Sequence, residues 1–328
     1  MSSLSARLSG TIPAGCLFTE TKDTVVSEQK TPAVMMKAAS LASVAVALTL
    51  VAVKGAAVVV TGSVAVLSGL IDSAIDAFAS LLAFWSIRES LTPADSDHRF
   101  GHGKIEALAA VGQAAFIAGS AVLLLFEAVL TLFRPRSVEQ TTVGIAVMVF
   151  SMLLTAGLVA FQRFVVRRTG SMAVSADCAH YAGDVLMNLG IIASLIVSAR
   201  FGLNWTDPVF ALGIAAYLLI NAFAVAKKAL GQLIDAELPD DEKRKIADIV
   251  LASPDVVGLH DLRTRASGTR WFVQLHLEIC PDFSLMKAHA VADEVERRLN
   301  EAFPHAEILI HQDPAGLREK IPEWSCEK

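Results

Sequence analysis

The chain has 328 residues, of which 54% are hydrophobic and only 19% charged, with a formal net charge of -5. Soluble domains usually contain about 45–50% apolar and about 25% charged residues, so this composition excludes a chain that is soluble throughout. The acidic balance argues against a nucleic-acid-binding surface. Four dispersed cysteines without a CxxC pair argue against a disulfide framework or a cysteine-type zinc site: Cys16, Cys178, Cys280 and Cys326.

The apolar residues are concentrated between residues 34 and 230. Residues 1–33 are polar and are predicted to form a disordered cytoplasmic tail. A membrane-spanning helix needs about 20 mostly apolar residues. Residues 34–235 are therefore predicted to form a transmembrane domain of six helices, within 38–60, 63–87, 107–126, 141–162, 174–199 and 208–226.

The charges of the connecting segments predict the orientation of these helices. Cytoplasmic loops of membrane proteins carry an excess of lysine and arginine. The segments after the second, fourth and sixth spans hold Arg88, Arg99, Lys104, Arg163, Arg167, Arg168, Lys227 and Lys228, whereas the opposite segments hold only Arg134, Arg136 and Arg200. Both termini are therefore predicted to lie in the cytoplasm.

Residues 236–315 have the composition of a soluble domain. A helix is predicted from Leu238 to about Ala252, with a proline and acidic residues in its first turn. Two strand-like runs flank Ser267-Gly268, a hairpin signal. A second helix at 284–303 and a third strand at 306–312 complete the order αββαβ, which predicts a small cytoplasmic α+β domain. Residues 316–328 are predicted to be a C-terminal tail.

Ionisable residues inside two of the predicted spans indicate a functional site. Asp72 and Asp76 are four residues apart in the second span, as are His180 and Asp184 in the fifth. This spacing places each pair on one helix face. Three carboxylates and one imidazole form a tetrahedral ligand set suited to Zn²⁺. Asp177, one turn before His180, is predicted to be a helix-start acid near the interface rather than a lining residue of the ion path.

The alternative is that these residues only connect helices by hydrogen bonds. Interhelical hydrogen bonds in membranes usually involve serine, threonine or asparagine. Three acids without a matching base in the same spans favour a metal site instead, because unpaired charges are costly in the hydrocarbon core.

A loop and the cytoplasmic domain contain further candidate ligands. Asp95, His98 and His102 lie within eight residues of one another, and their spacing is compatible with either a metal site or a solvated loop.

In the cytoplasmic domain, a hairpin centred on Gly268 would place His260 opposite His276. His311 and Asp313 would share one face of the third strand. His289, on the second helix, is predicted to complete the cluster.

The DxxxD of Asp72 and Asp76 and the HxxxD of His180 and Asp184 resemble the cation diffusion facilitator family, in its zinc/iron branch. Further similar segments are FGHGK at 100–104, VVRRT at 165–169, HDLRT at 260–264 and IHQDP at 310–314. The resemblance implies a homodimeric, proton-coupled metal exporter of the bacterial inner membrane, with a metallochaperone-like cytoplasmic domain. It also implies that Asp95, His98 and His102 form a loop metal site. His260, His276, His289, His311 and Asp313 would form a paired-metal site that steadies the dimer.

Zn²⁺ is the first expectation for both the transported and the structural ion, with Cd²⁺ and Fe²⁺ next, and no organic cofactor is expected. A single histidine among carboxylates suits these borderline ions better than Mn²⁺ or Mg²⁺, which prefer oxygen ligands. The alternatives are an exporter that prefers Mn²⁺ or Fe²⁺ and a membrane-anchored metal sensor. A zinc protease is disfavoured because the chain contains no HExxH motif.

Overall fold

The computed structural model describes residues 23–62, 64–133, 142–201 and 206–316. Its first part consists of six long helices: α1 (Asp23–Thr61), α2 (Val64–Ser90), α3 (Lys104–Phe133), α4 (Thr142–Thr169), α5 (Met172–Phe201) and α6 (Thr206–Leu233). Five of them are long and apolar enough to cross a membrane. The other is α5, which has 30 residues and carries Asp177, His180 and Asp184 in its first half. The predicted fold class of a helical membrane domain is confirmed.

The helices extend beyond the predicted spans, because hydropathy identifies only the part that lies in hydrocarbon. The largest difference is at the N-terminus, where α1 begins at Asp23 and runs through Pro32. Residues 23–33, which the sequence predicts as part of a disordered tail, belong to this helix. Residues such as Glu28, Gln29 and Lys30 are good helix formers that a search for apolar residues passes over. Residues 1–22 and 317–328 lie outside the described residues.

Small residues bring the membrane helices close together. The buried alanines Ala107, Ala110, Ala176 and Ala229 form one cluster where α3, α5 and α6 meet. At Gly183 of α5, an added Cβ would lie 2.5 Å from Cδ2 of Leu218 in α6. Small residues at such interfaces let helix backbones approach closely, which is the usual basis of packing in membranes. Gly183 thus positions α5 against α6.

The cytoplasmic domain contains α7 (Asp240–Leu251), β1 (Val256–Ser267), β2 (Arg270–Ile279), α8 (Leu285–Ala302) and β3 (Ala306–Pro314). The sheet order is β1-β2-β3, with β1 antiparallel and β3 parallel to β2. Two parallel strands need a crossover connection between them, and α8 connects β2 to β3 in this way. Both helices contribute to one apolar core with β2, which includes Ile246, Leu275, Leu277, Val295 and Leu299. The predicted αββαβ order is confirmed.

The pairing of His260 with His276 is present, but it arises in an unexpected way. Ser267 pairs with Arg270, so the turn consists of two residues and is not centred on Gly268. Without an irregularity, this turn would place His260 one residue out of register. A bulge corrects the register, because Asp261 and Leu262 together stand opposite the single residue Leu275. Asp261 adopts a positive φ of 45°, and this backbone conformation accommodates the extra residue.

The cytoplasmic domain contacts the loop that joins α2 to α3. Lys104 Nζ lies 2.8 Å from Asp235 Oδ1, and Arg265 Nη1 lies 3.3 Å from Asp235 Oδ2. Partial burial acts to raise the pKa of Asp235, but the two cations outweigh it and hold that pKa below its ordinary value. At Gly103, an added Cβ would lie 2.3 Å from the carbonyl oxygen of Ser267. The loop therefore rests directly on the β1–β2 turn.

Candidate metal sites

The first group of possible ligands lies between α2 and α5. His180 Nε2 is 2.9 Å from Asp76 Oδ1, and one ligand atom from each of Asp76, His180 and Asp184 lies within 4.8 Å of the others. The rings of Phe116 and His180 meet edge to face, with centroids 5.7 Å apart. Two carboxylates and one imidazole this close together can supply three of the four ligands of a tetrahedral metal site.

Asp72 is the member of the predicted set that lies apart from this group. It is exposed, whereas Asp76 is half-buried. Asp72 is not one of the three residues whose ligand atoms lie within 4.8 Å of one another. The structure brings together three of the four predicted ligands.

Asp177 differs from its prediction as an acid at the membrane interface. It is only 2% exposed. Gln162 Nε2 donates to Asp177 Oδ2 at 2.7 Å and to the Ser43 hydroxyl at 2.9 Å. Ser80 Oγ lies 3.5 Å from the other carboxylate oxygen and 2.7 Å from the Tyr181 hydroxyl. Asp177 is thus the centre of a polar network that joins α1, α2, α4 and α5.

The second group lies in the loop between α2 and α3. Asp95 Oδ1 lies 3.3 Å from His98 Nδ1, and Asp95 Oδ2 lies 3.4 Å from His102 Nε2. The backbone N–H of His98 donates to Asp95 at 2.6 Å, and this bond is the main cause that holds the pKa of Asp95 below its ordinary value. The carboxylate is therefore ionised at neutral pH and available to a cation. All three predicted loop residues come within 4.8 Å of one another.

The third group is a row across the three strands of the cytoplasmic sheet. His260 pairs with His276 across β1 and β2, and His276 pairs with His311 across β2 and β3. Asp313 is 4% exposed and contacts all three histidines of the row. Its Oδ2 lies 2.8 Å from His276 Nδ1 and 3.5 Å from His260 Nε2, while its Oδ1 lies 3.0 Å from His311 Nε2. Four of the five predicted residues thus converge on one face of the sheet.

His289, the fifth predicted residue, lies outside this row within one chain. It is 64% exposed at its side chain and lies 3.4 Å from Asp293 on the same helix. The reason is the layer order of the domain. Through Val291 and Val295, α8 packs on the apolar face of the sheet, and the histidine row occupies the opposite face.

Comparisons with known proteins agree with this architecture. Residues 40–234, more than half of the chain, match the cation efflux transmembrane domain, and residues 238–315 match the cation efflux protein cytoplasmic domain. The chain belongs to the cation efflux, or cation diffusion facilitator, family. The cation-efflux pump FieF of Yersinia enterocolitica is 45% identical over 294 residues, which cover 89% of this chain and 98% of that protein. FieF of Yersinia pseudotuberculosis serotype O:3 is 45% identical over 88% of this chain and 97% of its own. The metal-bound C-terminal domain of the CzcD transporter from Thermotoga maritima is similar to 25% of this chain, with all of that domain covered, 24% identity and a TM-score of 0.23.

As a cation efflux protein, the chain is a membrane transporter, and its six-helix domain carries the ions. Three charged residues beside the candidate sites are not among the predicted ligands. Lys54, within the first predicted span, donates to the hydroxyl of Ser73, the residue after Asp72 in α2. Asp261 Oδ2 lies 3.7 Å from His276 Nε2, and Glu278 Oε1 lies 3.0 Å from His260 Nδ1. Strand alternation could have indicated Glu278, but the bulge that brings Asp261 to the row leaves no signal in the sequence.

Proposed function

We propose that this cation efflux protein exports divalent transition-metal ions, with Zn²⁺ first, from the cytoplasm across the inner membrane in exchange for protons. The observation that supports this most is the meeting of Asp76, His180 and Asp184 inside the membrane domain. Ionisable groups within spans are costly and mark ion pathways. Asp72 or water completes a four-ligand shell, which Zn²⁺ accepts without penalty.

The same ligands provide the coupling to protons. Imidazole binds a metal only when it is neutral, and carboxylates bind only when they are ionised. The contact of 2.9 Å between His180 and Asp76 is one that a shared proton can occupy when the ion is absent. Metal binding from the cytoplasm therefore releases protons, and protons from the exterior displace the metal. No covalent step is required.

The orientation follows from the charges at the helix ends. Arg88 lies in the last turn of α2, and Arg167 and Arg168 lie in the last turn of α4. These helix ends are on the same side of the membrane domain as the end of α6 at Leu233, after which the cytoplasmic domain begins. The excess of basic residues on this side supports a cytoplasmic location. Both termini lie there in our proposal.

We assign metal-binding roles outside the ion path to the two other groups. The loop group of Asp95, His98 and His102 is exposed enough to exchange ions with the cytoplasm. The row of His260, His276, His311 and Asp313 binds Zn²⁺ and stabilises the homodimer. His289 lies on α8, which packs on the face of the sheet opposite the row. A contact between His289 and a metal at such a row would therefore have to come from a second copy of the chain.

Flux measurements in proteoliposomes test the transport proposal. The full-length protein is reconstituted with a metal-sensitive dye and a pH dye inside, and Zn²⁺, Cd²⁺, Fe²⁺ and Mn²⁺ are compared. We expect zinc flux with opposite proton flux, and Asp184→Asn is expected to abolish both. Asp293→Asn is the matched control, because that aspartate is exposed on α8. Normal flux in Asp184→Asn would refute the site, faster Mn²⁺ flux would favour the manganese-preferring alternative, and metal binding without flux would favour a sensor.

A further inference from the structure

A lysine lies inside the membrane domain, close to the acidic ligands. Lys54 lies in the apolar segment of α1, seven residues before its last residue, Thr61. Its ammonium donates to the carbonyl oxygen of Gly69 at 3.1 Å and to the hydroxyl of Ser73 at 2.7 Å, both in α2. Ser73 is 1% exposed, so the ammonium is held in the α1–α2 interface. A charged amine in a span is costly, and an apolar residue would pack the same interface without that cost.

The charge of Lys54 lies close to the acidic residues of α2. The Ser73 hydroxyl that it contacts belongs to the residue directly after Asp72 and three residues before Asp76. In the described part of the chain, its hydrogen-bond acceptors are a backbone carbonyl and a hydroxyl, so no carboxylate neutralises it by direct contact. The full positive charge is therefore available to act on an ion bound at Asp76.

The positions of Lys54 and Asp76 along their helices show on which side of the ligand group the lysine lies. At 1.5 Å per residue, Lys54 is about 10 Å from the end of α1, whereas Asp76 is about 18 Å from the start of α2. Only residues 62 and 63 separate these two ends in the chain. Lys54 therefore lies between the ligand group and the side that we propose faces the exterior.

From these observations we infer that Lys54 is a fixed counter-charge that weakens the hold of the acidic site on its ion and so permits release toward the α1–α2 side. This inference rests on the proposed transport function. An ion pathway must bind its ion well enough to admit it and weakly enough to let it leave. Two or three carboxylates alone would hold a divalent ion too tightly for rapid release, and a nearby ammonium reduces that attraction.

A purely structural role, in which Lys54 only connects α1 to α2, makes different predictions. Lys54→Gln keeps a hydrogen-bond donor but removes the charge, whereas Lys54→Arg keeps both. Ser73→Ala removes one hydrogen-bond partner and leaves the ammonium in place. We expect the fold to tolerate loss of the lysine, because the Ser73 hydroxyl can then donate to the carbonyl of Gly69, four residues earlier in its own helix.

Calorimetric titration of the full-length protein in detergent with zinc tests the inference. The intramembrane component is the one that Asp184→Asn removes. We expect Lys54→Gln to bind zinc about tenfold more tightly in that component, the order of effect of one unit charge on a divalent ion in a partly buried site. Its maximal flux in proteoliposomes should fall, and Lys54→Arg and Ser73→Ala should retain wild-type affinity.

Unchanged or weaker affinity in Lys54→Gln would overturn the role of Lys54 while leaving the transport site intact. Tighter binding in Ser73→Ala would overturn it as well, because a structural cross-link would then explain the effect. If Lys54→Gln does not fold, Lys54→Met is measured in its place against the same expectations. If Asp184→Asn removed no binding component, the intramembrane site itself would be refuted, and the role of Lys54 with it.

Discussion

Removal of His276 should abolish most of the stabilisation that zinc gives to the cytoplasmic domain. His276 is the middle residue of the row, with His260 on one side and His311 on the other, and Asp313 lies 2.8 Å from its Nδ1. A ligand present at a hundredfold excess over its dissociation constant stabilises the folded state by about 2.7 kcal/mol. For a domain of this size, that corresponds to a rise in melting temperature of about 10–20 °C. Without the central ligand, the rise should fall to a few degrees.

The assay is differential scanning calorimetry of a fragment comprising residues 236–315, which has its own apolar core. His276→Ala also leaves the buried carboxylate of Asp313 without its nearest imidazole, which should cost about 1–3 kcal/mol even without metal. The quantity to compare is therefore the shift caused by zinc within each variant. His289→Ala is the control, because the structure places that histidine outside the row. An undiminished zinc shift in His276→Ala would refute the reasoning, and a loss of the shift in His289→Ala would show that the site is completed by a second copy.

Two further changes test the ion ligands and the contact between the domains. His180→Asp creates an all-carboxylate group, so competition between Zn²⁺ and Mn²⁺ in the flux assay should shift toward Mn²⁺, and an unchanged order would show that ligand softness does not set selectivity. Asp235→Asn removes the ion pairs with Lys104 and Arg265 and should lower stability by about 0.5–1 kcal/mol at pH 7. Because the folded-state pKa of Asp235 is lowered, this difference should be present above about pH 4 and disappear as the pH falls further. A difference that does not shrink as the pH falls below the ordinary pKa of an aspartate would contradict the assignment.

The hairpin shows how a correct prediction can rest on an incorrect geometry. A turn centred on Gly268 and a regular ladder predict the pair of His260 with His276, and that pair is present. The actual turn shifts the pairing of β1 with β2 by one residue from the predicted register. The bulge at Asp261 shifts it back, so that His260 again lies opposite His276. A shift of one residue would have turned every side chain of the strand to the other face. The bulge depends on the packing of the sheet, which the alternation of residue types does not specify.

The helices and strands of this protein are determined largely by the pattern of apolar and polar residues within each segment. Long apolar runs in a bilayer must form helices, because only a helix satisfies its own backbone hydrogen bonds within one span. Alternating strands and a periodic helix likewise predicted the αββαβ order. The spacing of four residues placed Asp72 with Asp76, and His180 with Asp184, on single helix faces.

Only the tertiary structure decided which of these residues meet. The approach of α5 to α2 selects Asp76 rather than Asp72 as the partner of His180. The packing of α1 on α2 places Lys54 against Ser73, next to Asp72. The layer order of the cytoplasmic domain separates His289 from the histidine row. The physical reason is that periodicity fixes the face on which a side chain lies, whereas the crossing and depth of packed helices and sheets depend on contacts between residues far apart in the chain. Those contacts have no counterpart in any single stretch of sequence.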